Sequence, residues 1–274
     1  MSETASDTLS DRPLKRIHNR PRLLTPRVIL ALMLREMSST HGRSVGGYIW
    51  LILEPILGIA LLTLIFSYGF RTPRLGINFP IFFATGILPF LFFNTVSGNV
   101  ASAINYSRAL LGYPRVTYVD TIIARALLST LTQLLVSFIL LTAIVLYFET
   151  RTVFILQYAL LAYAMAFALA LGIGVFNCFL FSMFPLWQRA WTILTRPLFI
   201  ISGVFFLYES FPRALQQILW YNPLLHVTGE MRNAFYLQYE PNWVSPLYVF
   251  SVAAITGALG MVFLHRYHRD MLER

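Results

Sequence analysis

The chain has 274 residues, of which 57% are hydrophobic and only 12% are charged, and its mean hydropathy is +0.64. A soluble domain carries about twice that charged fraction, so this composition excludes a soluble enzyme and indicates an integral membrane protein. The formal net charge of +9 does not indicate nucleic-acid binding, because the basic residues are spread among loops instead of forming a basic face on a soluble module.

The first segment, residues 1–24, is polar and basic and contains no apolar run. It predicts a flexible cytoplasmic tail and no cleavable signal peptide. A helix is predicted next, over residues 25–41, with Arg27 and Arg35 flanking an apolar stretch that is too short to span a bilayer. We expect this amphipathic interface helix to lie along the membrane surface, although a simple membrane anchor fits the same pattern.

Six apolar segments, all within residues 42–274, have the length and composition of membrane-spanning helices. They are Tyr48–Phe70, Phe79–Val100, Leu127–Phe148, Val153–Phe184, Leu186–Tyr208 and Val244–Leu264. The fourth segment is longer than one perpendicular crossing requires, so we expect it to tilt or to extend beyond the hydrocarbon. The sequence therefore predicts an all-α integral membrane protein with six transmembrane helices.

The Lys and Arg residues are distributed unevenly among the connecting segments. Of the 21, five fall in alternate loops, and these are Arg71, Arg74, Arg151, Arg213 and Arg232. Cytoplasmic segments carry the excess of basic residues in membrane proteins. Both termini are therefore predicted to be cytoplasmic, and the alternate loops are predicted to lie outside.

The loop between the fifth and sixth spans contains two short amphipathic patterns, within about residues 211–240. The first follows Pro212, and the second runs from about Leu224 to Tyr239, where apolar residues alternate with Glu230 and other polar side chains. We expect short periplasmic helices here, and re-entry of this loop into the membrane is an open alternative.

Motifs for catalysis and nucleotide binding are absent from the sequence. There is no GxxxxGK[ST] motif, so any use of ATP and Mg²⁺ must lie on a partner chain. No set of His and carboxylate residues has metal-ligand spacing. Glu54, near the cytoplasmic end of the first span, is the one acidic candidate within a span, which argues against a proton-coupled carrier and an intramembrane enzyme.

Three blocks of residues resemble the membrane subunit of ABC-2 type exporters of cell-surface polysaccharides. The blocks are Arg43–Trp50 with Glu54-Pro55, Asn105 through Leu110 and Leu111 to Tyr113-Pro114, and Arg196–Phe206 followed by Pro212, Asn222–His226 and Glu230–Arg232. The resemblance covers nearly the whole chain from about Arg20 and is nearest to the capsular-polysaccharide branch. Arg189 is followed by Ala190, where O-antigen permeases commonly have an acidic residue. O-antigen or teichoic-acid export is the neighbouring alternative.

The resemblance implies a transport subunit that is not an enzyme and carries no cofactor. Such subunits act as homodimers in the bacterial inner membrane and bind two copies of a P-loop ATPase, which holds ATP and Mg²⁺. The implied substrate is a capsular polysaccharide with a lipid anchor, and the implied further partners are a periplasmic co-polymerase and outer-membrane export proteins. A secondary transporter or an intramembrane lipid or glycan enzyme is the alternative from a different class.

Six helices leave little room for a hydrated polymer, so we expect a conduit between two copies, lined by the first and fifth spans. The candidate conduit or substrate residues are Tyr48, Trp50, Phe66, Trp187, Trp191, Arg43 and Arg189. Aromatic faces can stack on sugar rings. Anchoring at the membrane interface explains the same aromatics, and topology explains the same arginines.

The cytoplasmic segment at about residues 105–118 is the candidate contact with the ATPase, and the helix before the first span is a second contact. The candidate coupling residues are Arg27, Arg35, Arg108, Leu110, Leu111 and Tyr113. The candidate residues of a periplasmic gate are Phe211, Trp220, Tyr221, Glu230 and Arg232.

Overall fold

The structure of the chain, a computed structural model, is built from α-helices. The residues it describes are 24–40, 46–69, 72–111, 116–150 and 152–273. In chain order the helices are α1 (Leu24–Thr40), α2 (Gly46–Gly69), α3 (Phe79–Ala101), α4 (Ala103–Leu111), α5 (Tyr118–Tyr147), α6 (Leu156–Met183), α7 (Pro185–Ile201), α8 (Arg213–Leu219), α9 (Pro223–Asn233) and α10 (Pro246–Glu273). No strand occurs in the described ranges. Of the predicted tail, residues 1–24, only Leu24 falls within them.

By length and composition, five helices among the described residues can cross a membrane. Their spanning segments are Ile49–Gly69, Phe79–Leu111, Tyr118–Tyr147, Leu156–Met183 and Pro246–Tyr267. These coincide with the predicted first, second, third, fourth and sixth spans. The prediction of an all-α, multi-pass membrane protein is therefore confirmed.

The third of these spans begins at Tyr118, nine residues before the predicted start at Leu127, because a capping box starts α5 early. The Thr117 hydroxyl accepts a hydrogen bond from the Asp120 N–H at 3.2 Å, and the Asp120 carboxylate accepts one from the Thr117 N–H at 3.0 Å. This reciprocal pair satisfies backbone donors at the helix N-terminus.

The predicted fifth span, Leu186–Tyr208, corresponds to α7, which is shorter than predicted. Its 17 residues make a helix about 26 Å long, which is less than the roughly 30 Å of a bilayer's hydrocarbon core. The helix ends where Gly203 adopts a φ of +77°, and residues 202–207 continue as an irregular segment. The prediction of a helix to Tyr208 is therefore wrong, and the count of six crossings stays a prediction.

The core of the bundle is centred on α3, in which every residue of Pro80–Phe90 is buried. The neighbouring α6 packs against α3 on one side and α10 on the other. Glycine permits the second contact, because a Cβ at Gly172 would collide with the Ala253 carbonyl oxygen, and one at Gly260 would collide with the Phe176 backbone. Small residues bring membrane helices close together in this way.

The first two helices lie at the edge of this core. The helix α2 contacts it through Phe66, whose ring centroid lies 5.1 Å from that of Phe83 on α3. The helix α1 packs against α5, and its bounds match the helix predicted at residues 25–41. Its position along a membrane surface stays a prediction.

Three connecting segments meet at the end of the bundle that is predicted to lie outside. The Asn78 side-chain amide donates a hydrogen bond to the Glu149 carbonyl oxygen at 2.8 Å. The Ile155 N–H donates one to the Ala234 carbonyl oxygen, also at 2.8 Å. These bonds tie the loops after α2, α5 and α9 to one another.

The two short helices predicted between the fifth and sixth spans are present as α8 and α9. The second ends at Asn233, so its predicted continuation to Tyr239 is wrong. It also differs from the amphipathic pattern, because every residue of Leu224–Arg232 is buried, Glu230 included. The reason is that α9 packs against α3, α6 and α10, so no side of it is left for the polar residues to face water.

Candidate functional site

The two helices predicted to line a conduit, α2 and α7, bury little of their surface within this chain. No residue of α7 is buried, and only 11% of the most apolar 18-residue stretch of α2 is buried within this chain. The apolar side chains that are more than half exposed include Leu57, Leu61, Leu64, Ile193, Leu194 and Ile200. Apolar surface of this extent requires cover from lipid or from a second protein surface.

A row of phenylalanine rings connects these two helices to the core. The Phe199 ring on α7 lies 5.0 Å from Phe90 on α3 and 5.3 Å from Phe205 in the irregular segment. Phe205 in turn lies 6.2 Å from Phe66 on α2. Edge and stacked contacts of this kind stabilise aromatic pairs beyond the area they bury, so α2 and α7 share one aromatic support.

The candidate conduit aromatics occupy different environments. Trp50 on α2 is 59% exposed, whereas Phe66 belongs to the phenylalanine row. The indole N–H of Trp187 donates a hydrogen bond to the Asn177 side-chain oxygen at 3.0 Å, which ties α7 to α6. Trp191 is half-buried. The structure thus leaves Trp50 and Trp191 with ring surface available to a partner or a ligand.

The candidate conduit cations are less completely described. Arg189 lies on α7 with an exposed side chain. Arg43 and the side chain of Tyr48 lie outside the described residues. Of the two candidate cations, only Arg189 is therefore placed, and it lies on the same helix as Trp191.

The candidate coupling residues lie on α1 and α4, which are both at the end of the bundle predicted to be cytoplasmic. Arg27, Arg35 and Arg108 are exposed, Leu110 and Leu111 are half-buried, and Tyr113 lies outside the described residues. The three arginines keep solvent-exposed surface, and Leu111 packs against the hydrophobic core and so joins α4 to the bundle.

Arg125 is a further candidate, which lies just before the predicted third span, Leu127–Phe148, and which the structure places inside α5. Its Nε donates a hydrogen bond to Glu36 on α1 at 2.8 Å, and its guanidinium lies 4.3 Å from the centre of the Tyr106 ring on α4. A buried ionisable residue in a membrane-spanning helix is a functional candidate by default. The capping box at Thr117 was the available signal, because it places Arg125 inside the helix and not in a loop.

Arg232 is the most deeply placed charge of the predicted gate region, with only 2% of its surface exposed. Its Nη2 donates to the Val204 carbonyl oxygen at 3.1 Å, and its Nη1 donates to the Phe206 carbonyl oxygen at 3.2 Å. The guanidinium also lies 4.4 Å from the centre of the Phe82 ring on α3. Burial lowers the pKa of Arg232 to about 10, so the side chain is cationic at neutral pH and holds the irregular segment against α3.

A second polar centre of this region is formed by His226 on α9. Its Nδ1 accepts a hydrogen bond from the Ser245 N–H at 3.1 Å, so Nε2 carries the proton and donates to the Trp220 carbonyl oxygen at 2.8 Å. The indole N–H of Trp220 donates to the Trp243 carbonyl oxygen at 3.0 Å. Burial lowers the pKa of His226, which keeps the ring neutral in this network.

Two carboxylates of the region differ in their surroundings. Glu230 is buried, and burial raises its pKa, opposed by a hydrogen bond from Asn233. Glu209 accepts hydrogen bonds from the Trp243 indole N–H at 2.7 Å and from the Tyr239 hydroxyl at 3.1 Å. Glu209 was not singled out from the sequence, although it joins the short 3₁₀ helix Tyr208–Ser210 to Trp243 in the segment before α10.

The remaining gate candidates differ in exposure. Tyr221 is 69% exposed, whereas Phe211 and Trp220 are half-buried. Phe211 packs against Phe206, with ring centroids 5.9 Å apart. Tyr221 and the half-buried Phe211 are therefore the gate candidates with side-chain surface free to meet another chain. Among the described residues, no group of three or more His, Cys, Asp and Glu side chains could hold a metal ion.

Known proteins resemble this chain over most of its length. It is 33% identical to the polysialic acid transport protein KpsM of Escherichia coli over 88% of this chain and 94% of that protein. It is 26% identical to the capsule polysaccharide export inner-membrane protein CtrC of Neisseria meningitidis over 91% of this chain and 94% of that protein. A shorter match, 34% identical over 31% of this chain and 32% of the other, is to the O-antigen export system permease protein RfbA of Myxococcus xanthus.

The family match is equally broad. Residues 27–236 match the ABC-2 type transporter family, and this range includes α7, the irregular segment that Arg232 holds and all of α9. The described helices agree with a multi-pass membrane subunit. The chain belongs to the ABC-2 type transporter family of membrane subunits.

Proposed function

We propose that this chain is the membrane-spanning subunit of an ABC transporter that exports capsular polysaccharide across the bacterial inner membrane. The observation that carries this proposal is the likeness to transport proteins for polysialic acid and capsule polysaccharide along 94% of their length. The chain itself has no P-loop, so ATP and Mg²⁺ bind to a separate ATPase subunit. The role of this chain is transport and not catalysis.

The orientation we propose puts both termini in the cytoplasm. The excess of Lys and Arg in the terminal segments and in the cytoplasmic loops supports it. In this orientation α1 and α4 face the ATPase, and the segment from Ser202 to Ser245 lies on the periplasmic side. Two copies of a P-loop ATPase bind per dimer, with α4 and α1 as their contacts.

The conduit forms between two copies of the chain. Support comes from the open apolar faces of α2 and α7, which this chain does not cover by itself. Trp50 and Trp191 offer ring surface on which sugar faces can stack without fixing a register. Arg189, near the cytoplasmic end of α7, attracts an anionic group of the entering lipid-linked glycan.

The periplasmic gate is the block of α8, α9 and the irregular segment before them. The contacts of Arg232 with the irregular segment and of His226 with the Trp220 carbonyl oxygen bind this block internally, so we expect it to move as one body and not to unfold. Phe211 and Tyr221 are the candidate contacts with the second copy. Beyond the gate, a periplasmic co-polymerase and outer-membrane export proteins continue the path.

The experiment that tests this function is affinity purification of the full-length chain from its own cells in mild detergent. We expect a P-loop ATPase to co-purify in equal stoichiometry, in a particle with two copies of each subunit. The ATPase activity of this particle should be lost when the P-loop lysine of the partner is replaced. Purification of this chain alone, with polysaccharide transport intact in vesicles, would reject the proposal in favour of a secondary transporter.

Export of O-antigen is the second candidate, and the match to the O-antigen permease supports it over a third of the chain. The cargo distinguishes the two candidates. A deletion strain that loses surface capsule and retains O-antigen supports capsule export, and the opposite pattern supports O-antigen export.

A further inference from the structure

We propose that Arg125 is a positioning residue that makes α1 and α4 move together with the membrane-spanning helices. The inference rests on the proposed function, because it takes α1 and α4 to be the contacts of the ATPase. Its evidence is the geometry of one guanidinium group on α5, which joins α1, the junction of α3 with α4, and α4 itself.

The first of these contacts is the ion pair with Glu36. The two side chains are only 9% and 12% exposed, and the Nε to Oε1 distance is 2.8 Å. Solvent therefore screens this pair weakly, and separating the two charges would lose an attraction that water replaces poorly at such little exposure, which is costly. A displacement of α1 consequently has to carry Arg125 with it.

The second contact is at Ser102, the residue that separates α3 from α4. Arg125 Nη1 donates a hydrogen bond to the Ser102 hydroxyl oxygen at 3.2 Å, and that hydroxyl donates to the Gly98 carbonyl oxygen at 2.8 Å. The φ of −94° and ψ of 6° at Ser102 break the regular helix here. Arg125 thus contacts the point at which α4 can change its angle to α3.

The third contact is with α4 beyond that break. The Tyr106 ring lies under the guanidinium, with its centre 4.3 Å from Cζ. Such a cation–π contact is favourable where the cation is partly removed from water. One planar group with several fixed donors can make all three contacts at once, whereas the ammonium group of a lysine presents a point charge and cannot span them.

A cavity to which several polar side chains contribute lies beside the ion pair and gives its side chains room to move. It has a volume of about 240 Å³, and its lining includes Glu36, Arg125, Asn99, Ser129 and Gln133. At about 30 Å³ per molecule, a space of this size accommodates several waters. Water in this space can solvate the joined side chains as they shift together with α1, so the ion pair can move without being separated.

A purely structural role makes a different prediction from a positioning role. If Arg125 only stabilised the fold, its replacement would reduce the amount of assembled transporter, and ATP hydrolysis and export would fall in proportion. If it transmits motion, the assembled transporter hydrolyses ATP, but less polysaccharide crosses the membrane for each ATP hydrolysed. The ratio of the two activities therefore separates the two roles.

The test compares Arg125→Gln, Arg125→Lys and Ser102→Ala in the full-length chain with its ATPase. Ser102→Ala removes only the hydroxyl that accepts from Arg125 Nη1 and donates to the Gly98 carbonyl oxygen, and it is the smallest change of side chain among the three variants. The control is Arg266→Gln, because Arg266 is an exposed arginine at the same end of the bundle, on α10. Two quantities are measured at equal levels of complex: the ATPase rate of the purified particle and the surface polysaccharide of the cells.

We expect Arg125→Gln to lower export per ATP hydrolysed by about fivefold or more, a typical size for coupling between sites. Arg125→Lys should be intermediate, Ser102→Ala should change the ratio in the same direction by less, and the control should leave it unchanged. An unchanged ratio in Ser102→Ala and Arg125→Lys would overturn the inference, even if both activities fell. Absence of any ATPase from the unaltered complex would instead overturn the proposed function.

Discussion

Arg232 Nη2 donates a hydrogen bond to the carbonyl oxygen of Val204, which lies 28 residues earlier in the chain, at a distance of 3.1 Å. The bond joins α9 to the irregular segment that follows α7. Because α7 ends at Ile201, the carbonyl groups of residues 202–207 have no helical hydrogen-bond partner, and Arg232 supplies donors to two of them. A buried backbone carbonyl without a partner is costly, and the arginine fork supplies two donors to this segment.

Replacement of Arg232 by methionine should destabilise the protein. The change leaves the carbonyl oxygens of Val204 and Phe206 without their donors, and a buried unsatisfied group, such as that of the fully buried Val204, costs about 1–3 kcal/mol. We expect a lower melting temperature of the detergent-purified chain, measured by intrinsic fluorescence. The matched control is Arg213→Met on the exposed side of α8, which should change the melting temperature little; equal losses from both variants would contradict this role of Arg232.

Replacement of Gly203 by alanine should destabilise the turn after α7. The φ of +77° disfavours any side chain, and a Cβ would lie 2.7 Å from Leu225 Cδ1 and 3.1 Å from the Thr228 hydroxyl oxygen. We expect a loss of about 1–3 kcal/mol, the usual cost of such strain, measured as thermal stability of the purified complex. Gly58→Ala is the control, because a Cβ there has nothing within 4 Å and alanine favours the helix.

The pH dependence of stability should include a contribution from His226. Its pKa in the folded protein is lowered by burial, so below about pH 6.5 the unfolded chain binds more protons, and stability falls as the pH drops towards the folded pKa. Glu230 acts in the opposite direction, because its raised pKa favours the folded state as the pH falls. On going from pH 7.5 to pH 5.5, the melting temperature of the unaltered chain should therefore shift downward relative to that of His226→Gln, which retains the contribution of Glu230 and lacks that of His226. The same difference in both would refute the assignment to His226.

The open faces of α2 and α7 should cross-link between two copies. The native Cys178 is buried, so single cysteines introduced at Leu57 on α2 or Ile193 on α7 can be oxidised selectively. We expect reducible dimers from both variants in membranes. Leu131→Cys on α5 is the control, because that position is exposed to a similar degree but lies off the proposed interface. Equally efficient cross-linking at Leu131 would argue against this dimer.

Hydropathy predicted the long helices well, because a bilayer requires about twenty apolar residues in a row and little else. The end of α7 was not predictable in this way, because residues 202–207 are as apolar as a span. Their departure from the helix depends on the conformation of Gly203 and on the two donors of Arg232, which lie far apart in the sequence.

The placement of charges was predicted less well than the placement of helices. A pattern of alternating polar and apolar residues predicts that the polar side of the helix faces water. This fails for α9, because three neighbouring helices enclose it. Glu230 and Arg232 are therefore buried instead of facing water. The contacts of Arg125 were likewise not predictable, because Arg125 lies just outside the predicted span Leu127–Phe148 and its partner Glu36 is 89 residues away in the sequence.

The measurement that tests the central claim most directly is the location of polysaccharide in cells that lack this chain. If the chain is the membrane subunit of a capsule exporter, deletion should remove polysaccharide from the cell surface, and the polymer should accumulate in the cytoplasm. Expression of the full-length chain should restore it to the surface, provided that the partner ATPase is active. Surface polysaccharide at the normal level in the deletion strain would contradict the account.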